Sequence, residues 1–423
     1  MRLASISFQN YRSFAETQSL HLRPLTLLFG YNSAGKSAIV RLFPLLRDSI
    51  QTLGASPLDL ASKAARGAAF SDIRSKLTSS PAFSFGINFV GGTSIGVQLR
   101  DLPEQRRHIV ESLSFKDVSG GHQAELLWSP TEEASAGPEP YLFRDGVSDE
   151  RLVPVTFRGL TPKVHGTDGG FTDVVKLVLQ EFASSVFWLQ ATRALPPRRE
   201  AFLGTPARIS EDGSGVTQYL YGREAAGDDV LGPISTWYRA ATNSRLALKR
   251  GTFHGVEMFS FALESIAEAP QPIDLADTGE GMGQVLPVIS LLTSAGSGAL
   301  GQDPLLLIEH PELHLHRAAE PALAELLCKS AGVRGSQIVV ETHSESLLLA
   351  VQLALIEGRL KSEDVGIYWV RQSDSGAAFL SLVEFDELGR PIGDDWPPNV
   401  FAQNVEQSRK VVRARQARVA NAS

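Results

Sequence analysis

The chain has 423 residues, 43% of them apolar and 21% charged, with a formal net charge of −7. This balance describes a globular protein of two or three domains and argues against one that coats nucleic acid by charge alone, although a local basic face would still permit DNA contact. One cysteine excludes a disulfide framework, no apolar run approaches the roughly 18 residues that span a bilayer, and no signal-peptide core follows Met1, so a cytoplasmic protein without membrane attachment is expected.

Residues 2–29 alternate and then saturate with apolar side chains, which predicts two short strands followed by a buried one. GYNSAGKS follows, and AIVRLFPLLRDSI has helical spacing with Pro44 as a local irregularity. Residues 51–80 are Ala/Ser-rich and ambiguous. Alternating stretches across 82–160 predict an antiparallel lobe, with EEASAGPEP at 132–140 as an exposed loop. A helix is expected near 170–184, then a strand in SVFWLQATRALPPRRE, and 215–269 reads as mainly helical. PIDLADTGEGMGQVLPVISLL opens another helix at a glycine loop, and DPLLLIEHPELHLH reads as a buried strand ending in acids. Helix, strand, helix and strand follow in RAAEPALAELLCKSA, SQIVVETHS, ESLLLAVQLALIEGRL and DVGIYWVRQ. The alternation predicts an α/β protein with a mainly parallel sheet covered by helices, beside an antiparallel β lobe and a helical lobe. The expected divisions are 1–50 and 271–370 as the two parts of the core, 51–185 as the inserted β lobe, 186–270 as strand, arginine loop and helical lobe, and 371–423 as a small C-terminal module and tail.

GYNSAGKS fits the P-loop pattern G-x-x-x-x-G-K-[ST] between a strand and a helix. Backbone N–H groups of Gly30, Asn32, Ser33, Ala34 and Gly35 can close around phosphates, Lys36 can reach the β- and γ-phosphates, and Ser37 can ligate Mg²⁺, all at a helix N-terminus that favours anions. Such a loop needs a carboxylate on a neighbouring strand tip, and LLLIE places Glu309 at one. Read alone, His310, His314 and His316 suggest zinc; their position after a carboxylate strand, with no H-E-x-x-H spacing, favours the P-loop partner instead. TGEGMGQ before that strand and His343 at the end of the next one complete an ordered set.

With these motifs, the chain resembles ABC-type ATPases of the SMC/RecF-like group, and most closely the OLD-like AAA-family ATPases of bacterial anti-phage systems. FQNYRSF, GYNSAGKS, LQATRALPPRRE, TGEGMGQVLP, IEHPELHLH, VETHSESLL, EGRLKSEDVGIYWV and the tail FDELGRPIGDDWPPNVFAQ carry the resemblance. It implies ATP and Mg²⁺ as cofactors, Arg12 near the nucleotide, Ser37 and Glu309 at the metal, and Gly281, Met282 and Gly283 as a signature that meets the γ-phosphate of an opposite subunit. By the same resemblance Gln284 opens the signature helix, His343 is the switch histidine, and Arg193 matches a loop arginine of open role.

Two positions depart from the family pattern. His310 stands where many ABC ATPases keep a catalytic glutamate, and Gly283 replaces a more usual serine, so slow turnover is expected. Glu312, just past Pro311, is the other candidate base. Gln51 and Gln190 are both candidates for the Q-loop glutamine. The sequence closes on RKVVRARQARVANAS, so a protein without the Toprim nuclease domain that many OLD-like proteins carry is expected. The expected protein is therefore a head-to-head dimer or higher assembly that hydrolyses ATP and regulates a separate nuclease or toxin from a neighbouring gene. The alternatives are a nucleotide-gated scaffold with little turnover that sequesters a partner, and a RecF-like repair ATPase acting on DNA.

Overall fold

The computed structural model describes residues 1–392 apart from positions 119, 131–136, 147, 148, 167, 169, 207, 267–270 and 387. Much of the expected loop at 132–140, most of the FDELGRPIGDDWPPNVFAQ tail and the final RKVVRARQARVANAS lie outside the described residues.

Three strands open the chain: β1 (Leu3–Gln9), β2 (Gln18–His21) and the wholly buried β3 (Leu25–Gly30). A short turn then leads into α1 (Lys36–Gln51). Pro44 sits inside α1 without interrupting it. Burial of Ile39, Val40, Leu42, Phe43, Leu45 and Leu46 outweighs the one backbone hydrogen bond that proline forfeits. Within 51–80, α2 (Phe70–Ile73) is a single turn.

The expected antiparallel lobe consists of β4 (Ala82–Phe89), β5 (Ser94–Leu102), β6 (Arg107–Asp117), β7 (His122–Trp128), β8 (Glu139–Arg144), β9 (Arg151–Arg158) and β10 (Thr161–Val164). Among the described residues its order is β10-β9-β8-β7-β6-β5-β4-β1-β2, so β1 and β2 extend it. Apolar register pairs weld the join: Ile6 faces Ile87 and Phe8 faces Phe85.

The chain continues through α3 (Phe171–Ser185), β11 (Val186–Leu189), β12 (Glu200–Ala201), α4 (Val216–Ala225) and α5 (Leu231–Thr242). The helical expectation for 215–269 fails beyond this point. Residues 244–265 form a hairpin, β13 (Ser244–Phe253) and β14 (Val256–Ser265), turning at His254-Gly255. Residues 259–263 of β14 are buried without a break, and its large apolar side chains, Phe259, Phe261 and Leu263, fall on alternate positions that join Leu246 of β13 in one core, a strand pattern. Then come β15 (Ile273–Asp274), α6 (Glu280–Ser297), β16 (Leu305–Glu309), α7 (Glu320–Ser330), β17 (Gln337–Glu341), α8 (Glu345–Ile356), β18 (Val365–Gln372), β19 (Ala378–Phe385) and β20 (Pro391–Ile392).

The core sheet has the order β11-β16-β17-β3-β18-β19-β20 among the described residues. Strands β11 through β18 run parallel, and β19 and β20 add an antiparallel edge. Both faces are buried, which explains the unbroken apolar runs. Leu28, Leu305, Leu307 and Val339 enter one hydrophobic core with α1, α3 and the antiparallel sheet, while Leu27, Leu306, Ile308 and Val340 enter a second with α4 to α8. The carboxyl ends of β3, β17 and β16 therefore emerge side by side. Among the described residues no helix is long and apolar enough to cross a membrane.

Candidate active site

Gly35 has φ +112°, and a Cβ there would lie 2.9 Å from the Phe14 ring, so glycine alone fits this corner of the P-loop. Lys36 starts α1 and folds back, its Nζ donating to the carbonyls of Gly30 at 3.0 Å and Tyr31 at 2.8 Å. Burial lowers its pKa, and the nearby charge of Glu341 works against that shift. Ser33 and Asn32 are exposed on the loop and Ala34 is buried beneath it.

Ser37 Oγ donates to Glu341 Oε1 at 2.7 Å. Glu341 ends β17, is 2% exposed, and its Oε2 is buried without a hydrogen-bond partner. Burial tends to raise its pKa, but hydrogen bonds from His310 and Ser37 prevail and keep it lowered. Glu309, its register mate on β16, is engaged elsewhere. Arg41 grips both of its oxygens, Nε to Oε1 at 2.8 Å and Nη2 to Oε2 at 2.6 Å, and Trp188 Nε1 donates to Oε1 at 3.1 Å. Sequence reasoning passed over Glu341 because LLLIE already supplied an acid; the available signal was an acid ending the next buried strand, directly before the switch motif.

The three clustered histidines diverge. His310 adopts φ +43°, stacks on His343 with ring centroids 5.1 Å apart, and sets Nδ1 3.6 Å from Glu312 and Nε2 3.5 Å from Glu341. Burial pulls its pKa down, but hydrogen bonds and charge from the two carboxylates overcome this and raise it to about 9. His343 moves the other way, its pKa lowered by burial and by the charges of Lys36 and His310, so the two stacked rings are shifted in opposite directions. His314 approaches Glu280 at 3.7 Å, and His316 Nδ1 caps the N–H of Ala318. Among the described residues no group of three or more His, Cys, Asp or Glu could hold a metal ion by itself.

Glu312 Oε1 accepts from Thr342 Oγ1 at 2.8 Å and from the His343 N–H at 3.3 Å, and its Oε2 is buried and unpartnered. Arg193, 3% exposed, reaches under this loop and donates from Nη2 to the carbonyls of Glu309 at 2.6 Å and His310 at 3.0 Å. Burial lowers its pKa to about 10, resisted by Glu312 and Glu309. Its role is to hold the left-handed turn that follows β16.

Arg12 follows β1 and donates to the carbonyl of Asp72 at 3.0 Å. It lines a cavity of about 750 Å³ shared with Arg41, Arg66, Arg74 and Lys76, beside the P-loop helix, to which Tyr11 Oη is tied through the Ala38 carbonyl at 2.9 Å. Gly281, Met282 and Gly283 start α6, but they pack away from the P-loop. A Cβ on Gly281 would collide with the His314 carbonyl, one on Gly283 would press on Leu195 and Pro196, and Tyr238 Oη donates to the Met282 carbonyl at 2.7 Å. Gln284, the next residue of the helix, is buried. Gln190 follows β11 at the level of Glu309, whereas Gln51 is exposed at the far end of α1.

A sheet that runs parallel from β11 to β18, with a P-loop at its centre and an antiparallel sheet packed on one face, has a counterpart among solved structures. The SMC head bound to the C-winged helix domain of ScpA shares 11% identity, with 91% of this chain and 98% of that one covered at a TM-score of 0.50. The chain has the fold of an SMC head domain. An SMC head with extended coiled coil from Pyrococcus furiosus, bound to the C-terminal domain of ScpA, aligns at 10% identity over 98% of this chain and 99% of that one, with a TM-score of 0.48. Residues 228–350 of the chain match the family described as "AAA domain, putative AbiEii toxin, Type IV TA system". No curated protein matches the chain.

Proposed function

We propose that this head binds ATP at the P-loop, hydrolyses it slowly, pairs head to head across the nucleotide, and controls a separate effector in bacterial anti-phage defence. The observation that carries this reading is the convergence of Lys36, Ser37, Glu341 and Glu312 at adjoining strand tips, with one buried oxygen of each carboxylate left unpartnered. Buried polar atoms are ordinarily satisfied, so these oxygens await a ligand.

Lys36 would exchange its two carbonyl partners for β- and γ-phosphate oxygens. The hard oxygens of Ser37 and Glu341 suit Mg²⁺, which when bound would neutralise phosphate charge. Glu312, held by Thr342 and the His343 N–H, presents its free oxygen to orient a water and take its proton. His343, its pKa lowered by burial and by the charges of Lys36 and His310, would report the γ-phosphate as the switch. His310, cationic in the place of a catalytic glutamate, cannot take a proton, which gives slow turnover its physical basis.

Two comparisons support a partner-controlling role. The SMC head of like fold is bound to a domain of another protein, and the description of the family matching 228–350 names a toxin of a toxin–antitoxin system. The cation at position 310 favours a second reading, a nucleotide-gated scaffold with little turnover. Phosphate release by the purified chain separates the two. Slow multiple turnover that Glu312→Gln abolishes supports the ATPase, while ATP binding with no phosphate released over many hours supports the scaffold.

A further inference from the structure

Taking ATP binding at the P-loop as given, we propose that the carboxylate serving Mg²⁺ beside Ser37 is Glu341, and that Arg41 holds Glu309 as a structural anion. Strand order is the first ground. Strand β17 lies between β3 and β16, and Glu341 and Glu309 are register mates, so Glu341 stands one strand spacing, about 4.8 Å, closer to the P-loop strand.

Hydrogen-bond accounting is the second. Both Glu309 oxygens are committed, Oε1 to Arg41 Nε and Trp188 Nε1 and Oε2 to Arg41 Nη2, in a residue only 1% exposed. Glu341 spends Oε1 on Ser37, the P-loop hydroxyl itself, and leaves Oε2 buried with no partner. Arg41 lies four residues after Ser37 on α1, hence on the same face one turn further on, where it meets the more distant strand tip. Withdrawing Glu309 toward a metal would strand that guanidinium, whereas Glu341 can offer its unpartnered Oε2 while Oε1 keeps Ser37 and His310. Mg²⁺ usually takes only one or two protein oxygens beside phosphates and water, and Ser37 with Glu341 meets that number, directly or through a water.

Equilibrium binding of a fluorescent ATP analogue to the full chain, in excess EDTA and in Mg²⁺, tests the assignment. Wild type should bind in both and more tightly with Mg²⁺. Glu341→Gln should keep the EDTA affinity and lose about tenfold or more of the Mg²⁺-dependent gain, while Glu309→Gln keeps that gain to within about threefold. With Mn²⁺ in place of Mg²⁺, the electron paramagnetic resonance signal of protein-bound Mn²⁺·ATP should vanish in Glu341→Gln alone. Should that variant fail to fold, Glu341→Asp must show the same metal-selective weakening. Overturning results are a full Mg²⁺ gain in the Glu341 variants, loss of the gain in Glu309→Gln alone, or a wild type whose affinity ignores Mg²⁺. A wild type that binds no nucleotide in either condition contradicts the ATP-binding reading itself, a different result from a metal-selective loss.

Discussion

Arg41 and Glu309 form a two-pronged ion pair, 2.8 and 2.6 Å long, that ties the P-loop helix to the tip of β16. Glu309 is 1% exposed and Arg41's side chain 19%, so removing one partner leaves a nearly buried charge alone. Arg41→Ala should lower the unfolding free energy by about 3 kcal/mol in denaturant titration. The double replacement Arg41→Met with Glu309→Leu should recover much of that loss; equal destabilisation by the single and double variants would show that packing, rather than the stranded charge, sets the cost.

In the proposed mechanism Glu312 activates the attacking water. Glu312→Gln should reduce phosphate release by about a hundredfold or more while leaving ATP affinity unchanged. His310→Gln should have the smaller effect on rate, because a cation there is no base at neutral pH. If Glu312→Gln remains fully active, the base lies elsewhere.

The histidine pair carries a pH signature. The ordinary histidine value is 6.5, and His310 is raised to about 9 in the fold. A group raised in the folded state stabilises it fully below the unfolded value and loses that contribution as pH rises through the folded value. Thermal unfolding of the nucleotide-free chain should therefore show a stability advantage over His310→Gln that is complete below pH 6.5 and fades by about pH 9. An advantage that disappears below pH 6.5 instead would mean that the carboxylates do not hold the proton. For the same reason, hydrolysis should show no sharp drop below pH 6.5 caused by His310.

Assembly through the start of α6 needs a variant that spares the fold. Gly281 is unsuitable, since any Cβ meets the His314 carbonyl, and Gly281→Ala should itself destabilise by about 1–3 kcal/mol. Glu280, with its side chain 65% exposed, is the cleaner choice. Glu280→Arg should leave the melting temperature unchanged and prevent ATP-dependent self-association in light scattering. Identical ATP-driven assembly of the variant and the wild type would remove the signature face from the interface.

Much of this arrangement is legible in the sequence for one physical reason. Strands covered on both faces become unbroken apolar runs, so LTLLF, LLLIE and QIVVE announce themselves, and glycine before a lysine at a helix start marks the P-loop motif. The hairpin at 244–265 was obscured because β13 alternates only weakly, with Gly251 and Thr252 at its end. Glu341 was obscured for a different reason. Chain order puts β16 before β17, but the sheet inserts β17 between β16 and β3, and that spatial order is not written in either strand. Nor does any local pattern say that Arg41 will claim Glu309.

Nucleotide binding at the P-loop is the central claim, and ATP-dependent stabilisation of the wild type against Lys36→Ala tests it most directly. At a hundredfold excess over its dissociation constant, ATP should stabilise the wild type by about 2.7 kcal/mol and raise its melting temperature, with no such shift in Lys36→Ala. An equal shift in both proteins, or none in the wild type at millimolar ATP, would contradict the account.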